Sequence, residues 1–249
     1  MDGMLSWIDA RLLLWLNHAA ASRPEVYRVC LFLTDEGADA LLALTAAGLW
    51  FWPAAGTGTW RAGNAMRAIT RRESRARLMT FGAGAMCAYI IARIIAIAVD
   101  ADRPFATFLP VRGLPGSFEG LRTFGSFPSD HAALLAALPL AFVRWRRWLG
   151  AAWAVAALVL IVLRVAVGFH FPSDMLAGAA LGVLFGGGAM ILHDRSRRVH
   201  AFTLATAAGF ERMPHAVVLY ALMGLVALEF AMHFEHVMTF IVWLYYRVA

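Results

Sequence analysis

Long apolar runs separated by tight clusters of charge constrain this 249-residue chain more than any other feature. Crossing roughly 30 Å of hydrocarbon takes about 20 apolar residues in a helix. Apolar runs fall at approximately residues 30–53, 78–99, 132–143, 149–167, 175–192 and 216–248. With 61% hydrophobic and only 15% charged residues, a soluble globular domain is excluded. The length leaves room for one membrane domain of about six spans. The expectation is therefore an all-α, polytopic membrane bundle. Residues 1–24 read as an N-terminal interfacial or marginal helix, because Asp9, Arg11 and Asn17 fall where the middle of a span would lie. The same internal charge argues against a signal peptide. Residues 25–200 read as the membrane domain that carries function, and residues 201–249 as a C-terminal membrane helix extension.

All 22 basic residues are Arg, against 16 acidic ones, which excludes lysine chemistry. A net charge of +6 invites a nucleic-acid reading, but most of these Arg residues border apolar runs, where the positive-inside bias explains them. Arg61, Arg67, Arg71, Arg72, Arg75 and Arg77 lie in one connection, Arg144, Arg146 and Arg147 in a second, and Arg195, Arg197 and Arg198 in a third. These three alternate onto one side, the cytoplasm. The connections at 100–129 and 168–173 then share the opposite face. Cys30 and Cys87 sit in apolar sequence without metal-like spacing, so no disulfide framework is implied.

Unusual polar residues concentrate in those two outward connections. The first holds Asp-Ala-Asp-Arg-Pro at 100–104 and Phe-Pro-Ser-Asp-His at 127–131; near the second come Arg164 and Gly-Phe-His-Phe-Pro-Ser-Asp at 168–174. Pro128-Ser129 and Pro172-Ser173 each precede an apolar helical pattern, and helix N-termini welcome anions. Arg103 and Arg164 offer planar forks suited to phosphate oxygens. His170 and Asp174, four apart, share a face on a helical turn, where the carboxylate can hold the imidazole in one tautomer. His131 stands at the start of another helix as a candidate acid for a leaving oxygen.

Together these segments resemble the three-part signature of the type-2 phosphatidic acid phosphatase superfamily. Arg-Pro-Phe at 103–105 and Phe-Pro-Ser-Asp-His at 127–131 are most similar to its bacterial undecaprenyl-diphosphate phosphatase branch, which includes bacitracin-resistance proteins. The resemblance runs from about Leu16, with Leu-Asn-His and the later Phe-Leu-Thr-Asp-Glu-Gly, to about Leu192. It implies an acid phosphatase/vanadium haloperoxidase-like core and a membrane phosphatase acting on a lipid diphosphate or monophosphate at the outer face of a bacterial inner membrane. By the same resemblance His170 is the nucleophile that forms a phosphohistidine, Asp174 orients it, and His131 is the general acid. Arg103, Ser129 and Arg164 bind phosphoryl oxygens, joined by Pro128, Asp130 and amides of 129–131, and no metal or other cofactor is required. Phosphatidate, phosphatidylglycerophosphate and a lipid A phosphate remain alternative substrates, and a non-catalytic lipid-phosphate binder or transporter is the alternative of another class.

The chain departs from the family pattern in three places. Ala96 stands where the family has Lys, Asp130 replaces a Gly, as in the undecaprenyl branch, and Leu163 replaces a Ser. Arg93, three residues before Ala96, is a candidate replacement cation, although a continuous helix would put it about 15 Å from Arg103. Arg112 and Arg122 read either as grips on a second phosphate or as solvated surface. Glu229, His233 and His236, with Glu235 and His215 nearby, follow helical spacing and suit either a divalent metal or helix packing.

Overall fold

The computed structural model describes residues 4–34, 64–107, 109–113, 125–143 and 147–212, with the single residues 38, 45 and 50. These are helical, with no strand among the described residues. The helices are α1 (Met4–Ala21), α2 (Pro24–Phe32), α3 (Asn64–Val99), α4 (Asp130–Val143), α5 (Arg147–Ala166), α6 (Pro172–Arg195) and α7 (Arg197–Arg212), with a 3-10 turn at Pro104–Ala106. Among the described residues the stretch Arg72–Ala106, α5 and α6 are long and apolar enough to cross a membrane. Of the other expected spans, 132–143 is the shorter apolar helix α4, and those around 30–53 and 216–248 lie largely outside the described residues, as do His215, Glu229, His233, Glu235 and His236.

Two boundaries differ from the sequence expectation. The Arg-rich segment before residue 78, read as a connection, is helical from Asn64 and lengthens α3 to 36 residues. No Gly or Pro interrupts 64–81, and Glu73 pairs with Arg77 one turn on at 2.9 Å, so the helix continues beyond its apolar part. Residues Arg197–Arg212 form the separate helix α7, which packs on α3 and α6 and runs across the boundary expected at residue 200.

The short helix α4 is the hub, touching α3, α5 and α6. Small residues make its close contacts. Gly178, Gly182 and Gly186 of α6 are spaced by four and face Ser129, Ala133 and Ala137. A methyl group at Gly178 would collide with the Ser129 carbonyl oxygen, and one at Gly182 with that of Ala133. Between helices in lipid, where hydrophobic transfer supplies little force, such backbone-close packing is what holds elements together. Large apolar side chains point the other way: Leu158 on α5 and Leu176 and Leu184 on α6 are exposed, giving a lipid-facing surface.

Helix α1 packs on α5, and its polar residues are engaged. Asn17 is fully buried; its Nδ2 donates to the carbonyls of Ala166 (3.0 Å) and Arg112 (2.9 Å), and its Oδ1 accepts from the Arg112 amide at 2.8 Å. Asp9 accepts from the Ser173 amide at 3.0 Å, at the start of α6. Two of the three residues that make α1 a poor span, Asp9 and Asn17, are thus the ones that tie it to the connections at 168–173 and 100–129.

Candidate active site

The placement of His170 begins at the end of α5. Gly168 adopts φ 87°, a left-handed conformation that costs a glycine little, and ends the helix. The Phe169 amide bonds the Arg164 carbonyl at 3.1 Å and the Gly168 amide bonds that of Val165 at 3.0 Å, the paired bonds of a Schellman turn. The Tyr27 hydroxyl donates to the Val167 carbonyl at 2.8 Å and pins the turn to α2. His170 therefore lies in the turn between α5 and α6, whereas the spacing to Asp174 had suggested that the two share a helix.

That difference changes how the carboxylate reaches the imidazole. His170 Nδ1 is 3.8 Å from Asp174 Oδ2, too far for a hydrogen bond. Its partner is the Ser126 carbonyl at 2.9 Å, an acceptor only, so Nδ1 carries the proton and Nε2 keeps its lone pair. Asp174 Oδ2 accepts from the Ser126 hydroxyl and, at 2.8 Å, from the Phe171 amide. Ser126 is fully buried and joins Asp174 to His170; the sequence reading missed it. Its one signal is its place two residues before Pro128-Ser129.

The free Nε2 faces a cation. Arg103 Nη1 lies 3.4 Å from it and donates to the Phe169 carbonyl at 3.2 Å. Arg164, also buried, donates to the carbonyl of Thr34 and lies with its guanidinium carbon 5.7 Å from the Phe169 ring centroid. Burial pushes the imidazole of His170 down to about 4, from an ordinary 6.5; Asp174 opposes this, while the Arg103 and Arg164 charges reinforce it. A neutral imidazole with an unprotonated nitrogen beside a guanidinium is equipped to attack phosphorus held by that guanidinium.

The start of α4 forms the neighbouring wall. Ser129 is fully buried, and its hydroxyl stands 3.4 Å from the Ala132 amide as the helix cap. Its amide donates to the Asp174 carbonyl at 3.0 Å, and the His131 amide donates to Asp130 Oδ1 at 2.6 Å. The expected cradle of amides over 129–131 is accordingly narrower, because these two already have protein acceptors. Asp130, grouped by sequence with the phosphate contacts, gives its carboxylate to cations instead. Oδ2 pairs with Arg93 Nε at 2.8 Å and Oδ1 with His131 Nδ1 at 2.7 Å. Arg93 thus joins the site through Asp130, and the helix count to Arg103 does not apply because α3 ends at Val99 and the chain turns at Asp100, φ 46°. His131 is half-buried, with Nδ1 held by Asp130.

Pro128 is buried beside Ser129. Ala96 is buried, its carbonyl bonded to the Asp100 amide at 3.0 Å, and Leu163 packs against the apolar cluster that includes Tyr27 and Phe169. Arg112 is exposed and anchored to Asn17 through its backbone, while Arg122 lies outside the described residues.

Residues 77–198 match the PAP2 superfamily. Relatives include a putative undecaprenyl-diphosphatase, YbjG, of Escherichia coli, 38% identical over 84 residues, 33% of this chain and 40% of that protein. A lipid A 1-phosphatase of Rhizobium johnstonii is 43% identical over 72 residues, 27% of this chain and 28% of that protein. The bacitracin transport permease protein BcrC of Bacillus licheniformis is 32% identical over 117 residues, 45% of this chain and 55% of that protein. The chain thus spans between a quarter and just over half of these relatives. In fold it is similar to the crystal structure of a transmembrane PAP2 type phosphatidylglycerolphosphate phosphatase from Bacillus subtilis, with TM-score 0.50 and 19% identity over 79% of this chain and 90% of that one.

Proposed function

Starting from a membrane chain whose residues 77–198 form a PAP2 superfamily domain, we propose that it is a metal-independent lipid phosphatase that hydrolyses undecaprenyl diphosphate to undecaprenyl phosphate and phosphate. The observation that carries the reading is the His170 Nε2 lone pair, fixed by the Nδ1 bond to the Ser126 carbonyl and set 3.4 Å from Arg103.

In this reading Arg103 and Arg164 neutralise the phosphoryl oxygens, with Ser129 at the start of α4 as a further contact. Nε2 attacks phosphorus as the bond to the leaving oxygen breaks. Protonated His131, steadied through Nδ1 by Asp130 and Arg93, gives its proton to that oxygen. A phosphohistidine remains. Water then attacks the phosphorus, its proton passes to His131, and the electron pair of the P–N bond returns to Nε2. Asp174, through the Ser126 hydroxyl, stabilises the positive charge that the ring carries while bonded to phosphorus.

The Arg-rich connections at the opposite end of the helices support a site on the periplasmic face of a bacterial inner membrane, where a lipid headgroup lies at the depth of His170. Residues 25–200 are the phosphatase unit in this reading, with 1–24 and 201–249 as flanking helices. Undecaprenyl diphosphate is favoured by the Phe-Pro-Ser-Asp-His segment and by the similarity to a putative undecaprenyl-diphosphatase; the higher local identity to a lipid A 1-phosphatase makes lipid A the second substrate to try.

The test is phosphate release by purified protein in detergent, with and without EDTA, from undecaprenyl diphosphate, phosphatidate, phosphatidylglycerophosphate and lipid A 1-phosphate. Fastest release from undecaprenyl diphosphate, insensitive to EDTA and absent in His170→Ala, is the expected result. A different preferred lipid overturns the substrate, and folded protein silent on all four overturns the phosphatase.

A further inference from the structure

The far end of α6 carries a second cluster of chemistry-bearing side chains that the phosphatase reading does not use. His193, near the C-terminus of α6, meets Glu73 of α3 and His200 of α7. From Asp174 to His193 is 19 residues along one helix, or about 28 Å, so this cluster is no part of the phosphoryl site. One donor atom from each of the three residues lies within 4.8 Å of the others. His200 Nε2 is 2.8 Å from Glu73 Oε2, and His193 Nε2 is 3.5 Å from Glu73 Oε1.

The protons on His193 follow from its neighbour. The Thr80 hydroxyl has one hydrogen, and a carbonyl acceptor for it, that of Ala76, lies at 3.0 Å. Toward His193 Nδ1, also 3.0 Å away, Thr80 Oγ1 then acts as acceptor, so Nδ1 is the protonated nitrogen of the neutral ring. That leaves the lone pair on Nε2, which is buried, has no hydrogen-bond partner among the described residues, and faces a carboxylate oxygen. A lone pair opposite a negative oxygen is repulsive unless a positive centre sits between them. The three groups line a cavity of about 250 Å³, together with Asp194 and Arg197.

We propose that Glu73, His193 and His200 bind a divalent transition-metal ion, zinc by donor chemistry, which staples α7 to α3 and α6. Two imidazoles and one carboxylate suit zinc; magnesium and calcium prefer all-oxygen sets. Tetrahedral zinc holds donors about 3.3 Å apart, so the cluster needs only a small contraction around the ion. The supporting shell is present: Thr80 orients His193, and Arg77 donates to Glu73 Oε1 at 2.9 Å. The cavity leaves room for water or Asp194 as a fourth ligand.

The test uses tag-free full-length protein in detergent, stripped with a chelator that is then removed. Zinc is titrated against a chromophoric indicator, with metal content and melting temperature read in parallel. One zinc per chain and a melting point raised by zinc but not by magnesium are expected. Both responses are lost in His200→Ala, whose side chain is 41% exposed and tolerates truncation, with affinity down about 100-fold or more. Glu73→Gln, which keeps the shape, repeats the result if the first variant folds poorly. His170→Ala binds zinc like the wild type, so failure of the phosphatase reading leaves this one standing. Less than one zinc per chain, or undiminished binding by Glu73→Gln and His200→Ala, overturns the site and leaves an imidazolium, with a proton in the ion's place.

Discussion

The tetrapeptide Phe-Pro-Ser-Asp occurs twice, at 127–130 and 171–174, and the two copies take opposite roles. In the second, the helix begins at Pro172, and Asp174 turns back to accept the Phe171 amide and the Ser126 hydroxyl behind His170. In the first, the helix begins two residues later, at Asp130, whose carboxylate turns to Arg93 and His131. One aspartate serves the proposed nucleophile through a neutral relay; the other links a cation to the candidate acid. Four identical residues leave the outcome to their surroundings: Asp9 meets the second copy at Ser173, and the Asp174 carbonyl meets the first at Ser129.

The largest expected effect separates the two aspartates. Asp174→Asn removes the charge that would stabilise the proposed phosphohistidine and should lower kcat about 10³-fold, by analogy with the orienting carboxylate of catalytic triads. Asp130→Asn touches only the support of His131 and should cost about 10²-fold at most. Equal losses, measured on one lipid substrate, would erase the distinction drawn between the copies. Ser126→Ala comes next, at about 10-fold, because it breaks the hydroxyl link to Asp174 yet keeps the carbonyl that holds Nδ1.

A packing comparison tests what keeps the two copies together. Gly178→Ala forces a methyl onto the Ser129 carbonyl and should cost about 1–3 kcal/mol of stability, read as a lower melting temperature. Gly188→Ala on the same helix meets nothing within 4 Å and should be neutral or slightly stabilising, by up to about 1 kcal/mol.

The smallest effect is in the pH profile. His170 is held at about 4, below its ordinary 6.5, so it stays unprotonated through the neutral range and loses its lone pair only as pH falls through 4. The acid limb of kcat/KM assigned to His170 should cost little at pH 5, whereas an unshifted imidazole would lose about 30-fold there. A limb near 6.5 that vanishes with His170 would show the ring to be solvated instead of buried.

Much of the site's location is legible because its residues come in short segments with helix-start chemistry. Arg103 meets His170, and Asp174 meets Ser129, across gaps of many residues that the alternation of Arg-rich connections already brings to one face. What escapes is any role carried by a carbonyl or by one small side chain. Ser126 has no spacing that marks it, and Asn17 and Thr34, though they fall in segments that carry the resemblance, act through backbone that only the fold brings together: the Ala166 and Arg112 carbonyls for Asn17 and the Thr34 carbonyl for Arg164. Residues 64–77 escape as helix for another reason: hydropathy reports burial in lipid, and a charged segment can be helical without it. Glu73, His193 and His200 escape entirely, since three helices must assemble before they are neighbours.

The seam between α4 and α6 behaves like two meshed racks. Gly178, Gly182 and Gly186 are cut to the same four-residue pitch as Ser129, Ala133 and Ala137, so a slide of a fraction of that pitch drives carbonyls into backbone. The next free register lies about 6 Å away. Creep along this seam is thereby forbidden, and Ser129 and Asp174 hold their alignment as if cut from one piece. Any widening that admits a bulky headgroup has to come from tilting, or from the helices on the other side of His170.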